Sequence, residues 1–112
     1  FLYVDDMAEA SLFVHSLDQN VFMDCTRPML SHINVGTGTD VTIKELSETI
    51  KNVVGFLGKL VFDRSKPDGT PRKLMDVSLL KSLGWNASVS LKSGLERSYA
   101  DFVLTLTGEN RS

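Results

Sequence analysis

Apolar residues along this chain fall into short runs and helical stripes, separated by clear stop signals. Phe1-Leu2-Tyr3-Val4, His32-Ile33-Asn34-Val35 and Lys59-Leu60-Val61-Phe62 read as three short strands. Met7, Ala10, Ser11, Val14 and Leu17 recur at helical spacing. They predict a helix over Asp6 to Leu17, with Asp5 as its N-cap and Asp6 beside the positive end of the helix dipole. Residues 18–30 are mixed, with Pro28 as a breaker and room for a further short helix. Thr42 and Glu45 form a capping-box pattern. Ile43, Leu46, Ile50, Val53 and Val54 then make one apolar face, and Gly55 ends that helix. Asp76 is placed to cap a short helix over Val77 to Ser82 that stops at Gly84. Ser90 opens the last helix, whose stripe is Leu91, Leu95, Tyr99, Phe102, Val103 and Leu106.

The predicted order is therefore β-α-β-α-β-loop-α-α. Such alternation points to α/β layering, with parallel pairing where strands adjoin. The length of 112 residues allows one small domain. A net charge of −2 excludes bulk attraction to nucleic acid or to anionic membrane, so anion binding has to be local. No apolar run is long enough to span a bilayer. The single cysteine, Cys25, cannot form an internal disulfide, and the expectation is a reducing, cytoplasmic compartment. The chain starts at Phe1 inside a predicted strand, which reads as a piece of a longer protein whose remaining apolar surface needs a cover.

Candidate chemistry concentrates in one loop. Phe62 to Lys73 carries Arg64, Lys66, Arg72 and Lys73 among Pro67, Gly69 and Pro71. The prolines limit the backbone and Asp68-Gly69 is a turn signal, so Lys66, Arg72 and Lys73 can be held in place. Arginine offers a planar fork to phosphate and lysine a point charge. Asp68 can accept hydrogen bonds from sugar hydroxyls or base edges. A solvated basic loop is the alternative. Elsewhere the signals are weaker. Gly36-Thr37-Gly38 follows a strand and precedes a helix but lacks the third glycine of a dinucleotide fingerprint, and a tight turn is the better reading. His15 and His32 have no companion at metal-ligand spacing, Cys25 has no adjacent His, and Asp5-Asp6 is explained by capping.

Several stretches resemble one family. Phe1-Leu2-Tyr3-Val4-Asp5-Asp6-Met7-Ala8, then His32 to Gly38, then Lys66 to Lys73 with Asp76 and Leu83-Gly84-Trp85, resemble the extended short-chain dehydrogenase/reductases that act on nucleotide sugars. Pro28 to Gly38 and Ser65 to Lys73 are closest to members that use GDP-sugars. The resemblance implies that residues 1–112 are a C-terminal substrate-binding domain, with short, largely parallel strands packed by helices. An N-terminal NADP-binding Rossmann domain, with the catalytic Ser, Tyr and Lys, would lie upstream. No Tyr-x-x-x-Lys occurs here: Tyr3 is followed by Met7 and Tyr99 by Val103. The resemblance thus implies no catalytic, cofactor or metal residue in this chain, which would be inactive alone, and an intact enzyme that is homodimeric. It implies substrate contacts at Asp68 and Lys73 first, then at Arg72 and Lys66, where Lys66 stands in the place of an Arg common in relatives. A stand-alone phosphate-binding module, or part of another nucleotide-sugar epimerase or dehydratase, are the alternatives.

Overall fold

A computed structural model of the chain describes residues 1–72 and 74–108. Its element order is α1 (Val4–Ser16), α2 (Gln19–Cys25), α3 (Ile43–Val54), α4 (Ser78–Ser82) and α5 (Leu91–Leu106). The chain forms two compact units, one of Phe1–Thr39 with Leu74–Val89 and the other of Asp40–Lys73 with Ser90–Ser112. Among the described residues no helix is long and apolar enough to cross a membrane.

The expected α/β fold with parallel strands is not what forms. Among the described residues there is no sheet, and the isolated antiparallel bridge Arg27–Leu30 is the β-pairing present. Residues 31–35 and 59–63 belong to no helix or strand. A run of four apolar residues fits a strand or a buried helix start equally well, and it becomes a strand only when another segment takes its backbone groups. Val4 instead enters α1, whose first turn closes by Met7 N–H donating to the Tyr3 carbonyl at 3.1 Å.

The first unit has a small core. Ala10 of α1, Leu80 of α4 and Trp85 are buried, and Leu2, Phe13, Val14, Ile33, Val35 and Ala87 pack around them. Asp6 is buried as well, with 2% of its surface exposed. Its role corrects the capping expectation. The N-cap of α1 is Tyr3 rather than Asp5, with no side-chain capping bond, and Asp6 reaches across the unit. Its Oδ1 accepts from Ser88 N at 3.3 Å and Ser88 Oγ at 3.0 Å, and its Oδ2 accepts from Val89 N at 3.0 Å. The carboxylate thereby ties the segment after Trp85 to the start of α1. Helix α2 starts at Asp18, which accepts from Asn20 N at 2.8 Å.

In the second unit α3 packs against α5. The α3 capping box is complete: Glu45 N donates to Thr42 Oγ1 at 3.1 Å, and Thr42 N donates to Glu45 Oε2 at 2.8 Å. The Thr42 N–H bond, and then a bond donated by the Thr42 hydroxyl to the same Oε2 at 3.0 Å, hold the Glu45 carboxyl below its ordinary pKa. Gly55 ends α3 at φ 69°, the left-handed conformation in which a side chain is strained. Ser90 caps α5 by accepting from Ser93 N at 3.2 Å, as its position predicts. Gly94 is the buried residue of α5, whereas Phe102 and Leu106 of the expected stripe remain exposed.

Candidate functional site

Two places invite a ligand: the Gly36 turn and the basic loop. In the first unit a small cavity of about 70 Å³ is lined by Gly36, Thr37, Val77, Leu80 and Trp85. Nucleotide-sized ligands need pockets of roughly 300 Å³ or more, so this hollow does not hold one. The turn beside it is also closed. A Cβ added at Gly38 would lie 3.0 Å from Val77 Cγ2, and one at Gly36 would lie 3.4 Å from Val77 Cγ1. The glycines pack closely against Val77, as the tight turn expected here requires.

The basic loop lies within the second unit. Asp63 shapes its start by accepting at Oδ1 from Ser65 N at 2.9 Å and from Ser65 Oγ at 2.6 Å. The hydroxyl bond, followed by the backbone bond, holds the Asp63 carboxyl below its ordinary pKa. Lys66, Asp68 and Arg72 follow on the same exposed stretch. Lys73 lies outside the described residues. Among the described residues Lys66 and Asp68 make no hydrogen bond or ion pair, so both are available to a ligand. Arg72 is held: its Nε donates to Asp40 Oδ2 at 3.1 Å, just before α3. The loop is therefore shaped at its start by the Asp63–Ser65 turn and tied near its end to Asp40, and between these points Lys66 and Asp68 have no partner among the described residues.

Asp40 carries no sequence signal of its own. It lies 32 residues from Arg72, and no local pattern links the two. Asp76, expected as the cap of α4, lies one position further out, and Val77 is the N-cap. Asp76 Oδ1 accepts from Ser78 N at 2.9 Å, and bonds from Ser78 keep its carboxyl below the ordinary value. His15 and His32 are exposed, and Cys25 Sγ donates to the Phe22 carbonyl at 3.4 Å. Among the described residues no three His, Cys, Asp or Glu side chains gather in a way that could hold a metal ion.

No family model matches the chain. Individual proteins do. GDP-L-fucose synthase of Escherichia coli K12 is 58% identical over 103 residues, covering 92% of this chain and 32% of its own length. GDP-L-fucose synthase 1 of Arabidopsis thaliana is 54% identical over 99 residues, covering 88% and 28%. Among solved structures, a GDP-6-OMe-4-keto-L-xylo-heptose reductase from Campylobacter jejuni superposes with a TM-score of 0.79 at 38% identity, covering 90% of this chain and 29% of that one. A GDP-mannoheptose C4 reductase from the same organism, solved with NADP bound, gives a TM-score of 0.72 at 38% identity, covering 88% and 29%. The chain spans about a third of the length of the curated relatives it matches, 32% for the Escherichia coli protein.

Proposed function

We propose that this chain, a member by sequence of the GDP-L-fucose synthase branch of the extended short-chain dehydrogenase/reductases, is the C-terminal, GDP-sugar-binding part of such an enzyme. The observation that carries the reading is the 58% identity to the Escherichia coli enzyme across 92% of the chain. The proposed parent converts GDP-4-keto-6-deoxy-D-mannose to GDP-L-fucose by 3,5-epimerisation and NADPH-dependent 4-reduction. No group of this chain is assigned a step in either reaction. NADP belongs to the upstream Rossmann domain of the same chain, the intact enzyme is a homodimer, and its compartment is the cytoplasm.

The part played by this chain is positioning. Lys66 and Arg72 supply positive charge for the diphosphate, with Lys73 as the third cation, and Asp68 accepts hydrogen bonds from hydroxyl or base donors of the substrate. Binding energy from the nucleotide, remote from the sugar carbons, then holds the keto sugar in reacting geometry. A sibling reaction has support too. Relatives include a GDP-L-colitose synthase at 37% identity and heptose-type GDP-sugar reductases at 38%. The identity to fucose synthases is higher and favours the deoxymannose substrate.

The test uses a chimaera: the Escherichia coli enzyme with its matching segment replaced by this chain. The expected result is retained GDP-L-fucose formation, with Asp68→Ala and Lys73→Ala each weakening GDP about ten-fold in a calorimetric titration, the loss of one charge-assisted contact. Unchanged GDP affinity in both variants would remove the loop from the substrate site. An active chimaera that prefers a GDP-heptose would shift the reading to the sibling reaction.

A further inference from the structure

We infer that Asp40 is a positioning residue for the diphosphate, acting through Arg72; the inference rests on the GDP-sugar reading above and deepens it. Arginine carries five N–H donors on a planar fork, and its terminal pair suits two phosphate oxygens at once. A phosphate site needs that pair turned outward, which a mobile side chain does not ensure. Here the anchor takes the inner nitrogen. Arg72 donates from Nε to Asp40 Oδ2 at 3.1 Å, and no other hydrogen bond or ion pair engages its guanidinium among the described residues. The terminal nitrogens are left for a ligand.

The carboxylate that does this is itself oriented. Asp40 Oδ1 accepts from Val41 N at 2.9 Å, so one oxygen is fixed to backbone and the other faces Arg72. Two residues on, the Thr42–Glu45 box fixes the start of α3. Asp40 thus hangs from a capped helix rather than from a free loop. Loop and helix start are joined by the ion pair, and the arginine fork is aimed by the helix side.

Two effects oppose each other when a ligand arrives. The negative charge of Asp40 repels a diphosphate, whereas the order it imposes on Arg72 favours binding. Side-chain exposures of 68% for Arg72 and 41% for Asp40 place the pair in solvent, where charge repulsion is screened. Orientation by a direct 3.1 Å bond is not weakened in the same way. Order wins, and its modest size follows from the same exposure.

In the chimaera, Asp40→Ala is expected to weaken GDP about three- to five-fold, the scale of an exposed ion pair, with the change falling on KM for the GDP-sugar rather than on kcat. Asp40→Asn keeps an oxygen for Nε only by turning its amide toward Val41 N, and is expected to fall between the parent and Asp40→Ala. In an Arg72→Ala background, Asp40→Ala is expected to change GDP affinity by less than about two-fold, because the residue it orients is gone. If Asp40→Ala leaves GDP affinity unchanged or tightens it while Arg72→Ala weakens it, the positioning role is refuted and the loop reading survives. If Arg72→Ala, Asp68→Ala and Lys73→Ala all leave it unchanged, the loop reading fails and this inference fails with it.

Discussion

The Asp6 carboxylate offers the sharpest test of how the first unit is held together. It is buried, and it accepts from two backbone N–H groups and one hydroxyl at 3.0 to 3.3 Å. Asp6→Ala leaves all three donors without this acceptor. Hydrogen bonds to a charged group contribute roughly 1.5–3 kcal/mol, but Ser88 is solvent-exposed and water replaces part of what it loses. The expected destabilisation is about 2–4 kcal/mol. Asp6→Asn keeps one oxygen but turns its amide toward a backbone N–H, that of Val89 or of Ser88, where only the Ser88 hydroxyl can turn to accept it, so it is expected to cost about 1–3 kcal/mol despite its matching shape. Ser88→Ala removes only the hydroxyl and is expected to cost about 1 kcal/mol. Urea unfolding followed by tryptophan fluorescence reads this unit directly, because Trp85 is the single tryptophan and sits in its core. An Asp6→Ala midpoint that corresponds to less than about 0.5 kcal/mol, the range of an ordinary surface change, would refute the role assigned to Asp6.

Two further outcomes follow from local geometry. Gly38 has φ +77° and its Cβ position lies 3.0 Å from Val77, so Gly38→Ala is expected to cost about 1–2 kcal/mol by the same fluorescence assay. Gly69, whose Cβ position meets nothing within 4 Å, is expected to accept alanine without loss. The depressed carboxyls of Glu45, Asp63 and Asp76 set an acid limit. A folded pKa below the unfolded one contributes stability above the ordinary carboxyl range, and that stability is lost as pH falls through the folded value. Protection factors of the α3 amides, which are corrected for the intrinsic slowing of exchange in acid, should therefore fall on acidification below the ordinary glutamate range, and an α3 equally protected throughout would contradict the capping assignment.

What the sequence displays well is anything decided within a few residues. Thr42 with Glu45, Gly55, Ser90 and Gly84 punctuate helices that form where those signals place them. Each signal is a backbone group satisfied, or a backbone angle permitted, by a residue close by. Strands have no such local guarantee. Residues 1–4, 32–35 and 59–62 have strand-like composition, yet composition cannot specify which segment will take their N–H and C=O groups. The same limit hid Asp6. A carboxylate in the first turn of a helix looks identical whether it caps that helix or reaches Ser88, 82 positions away.

The loop shows the limit from the other side. Its charge and prolines were legible, and so was its candidacy as an anion site, but its energetic weight was not. Lys66, Asp68 and Arg72 are all exposed. In open water an ion pair with a phosphate is screened over about 10 Å at ordinary salt and contributes little. The same contacts strengthen several-fold when another surface excludes water from them, because the local dielectric falls. The residues of this chain therefore supply the identity and aim of the contacts, and whatever covers the loop supplies their strength. A GDP titration of the 112-residue chain by itself would measure only the screened part, and the substitutions at Asp68, Lys73 and Asp40 discriminate fully only in the chimaera, where the rest of the pocket is present.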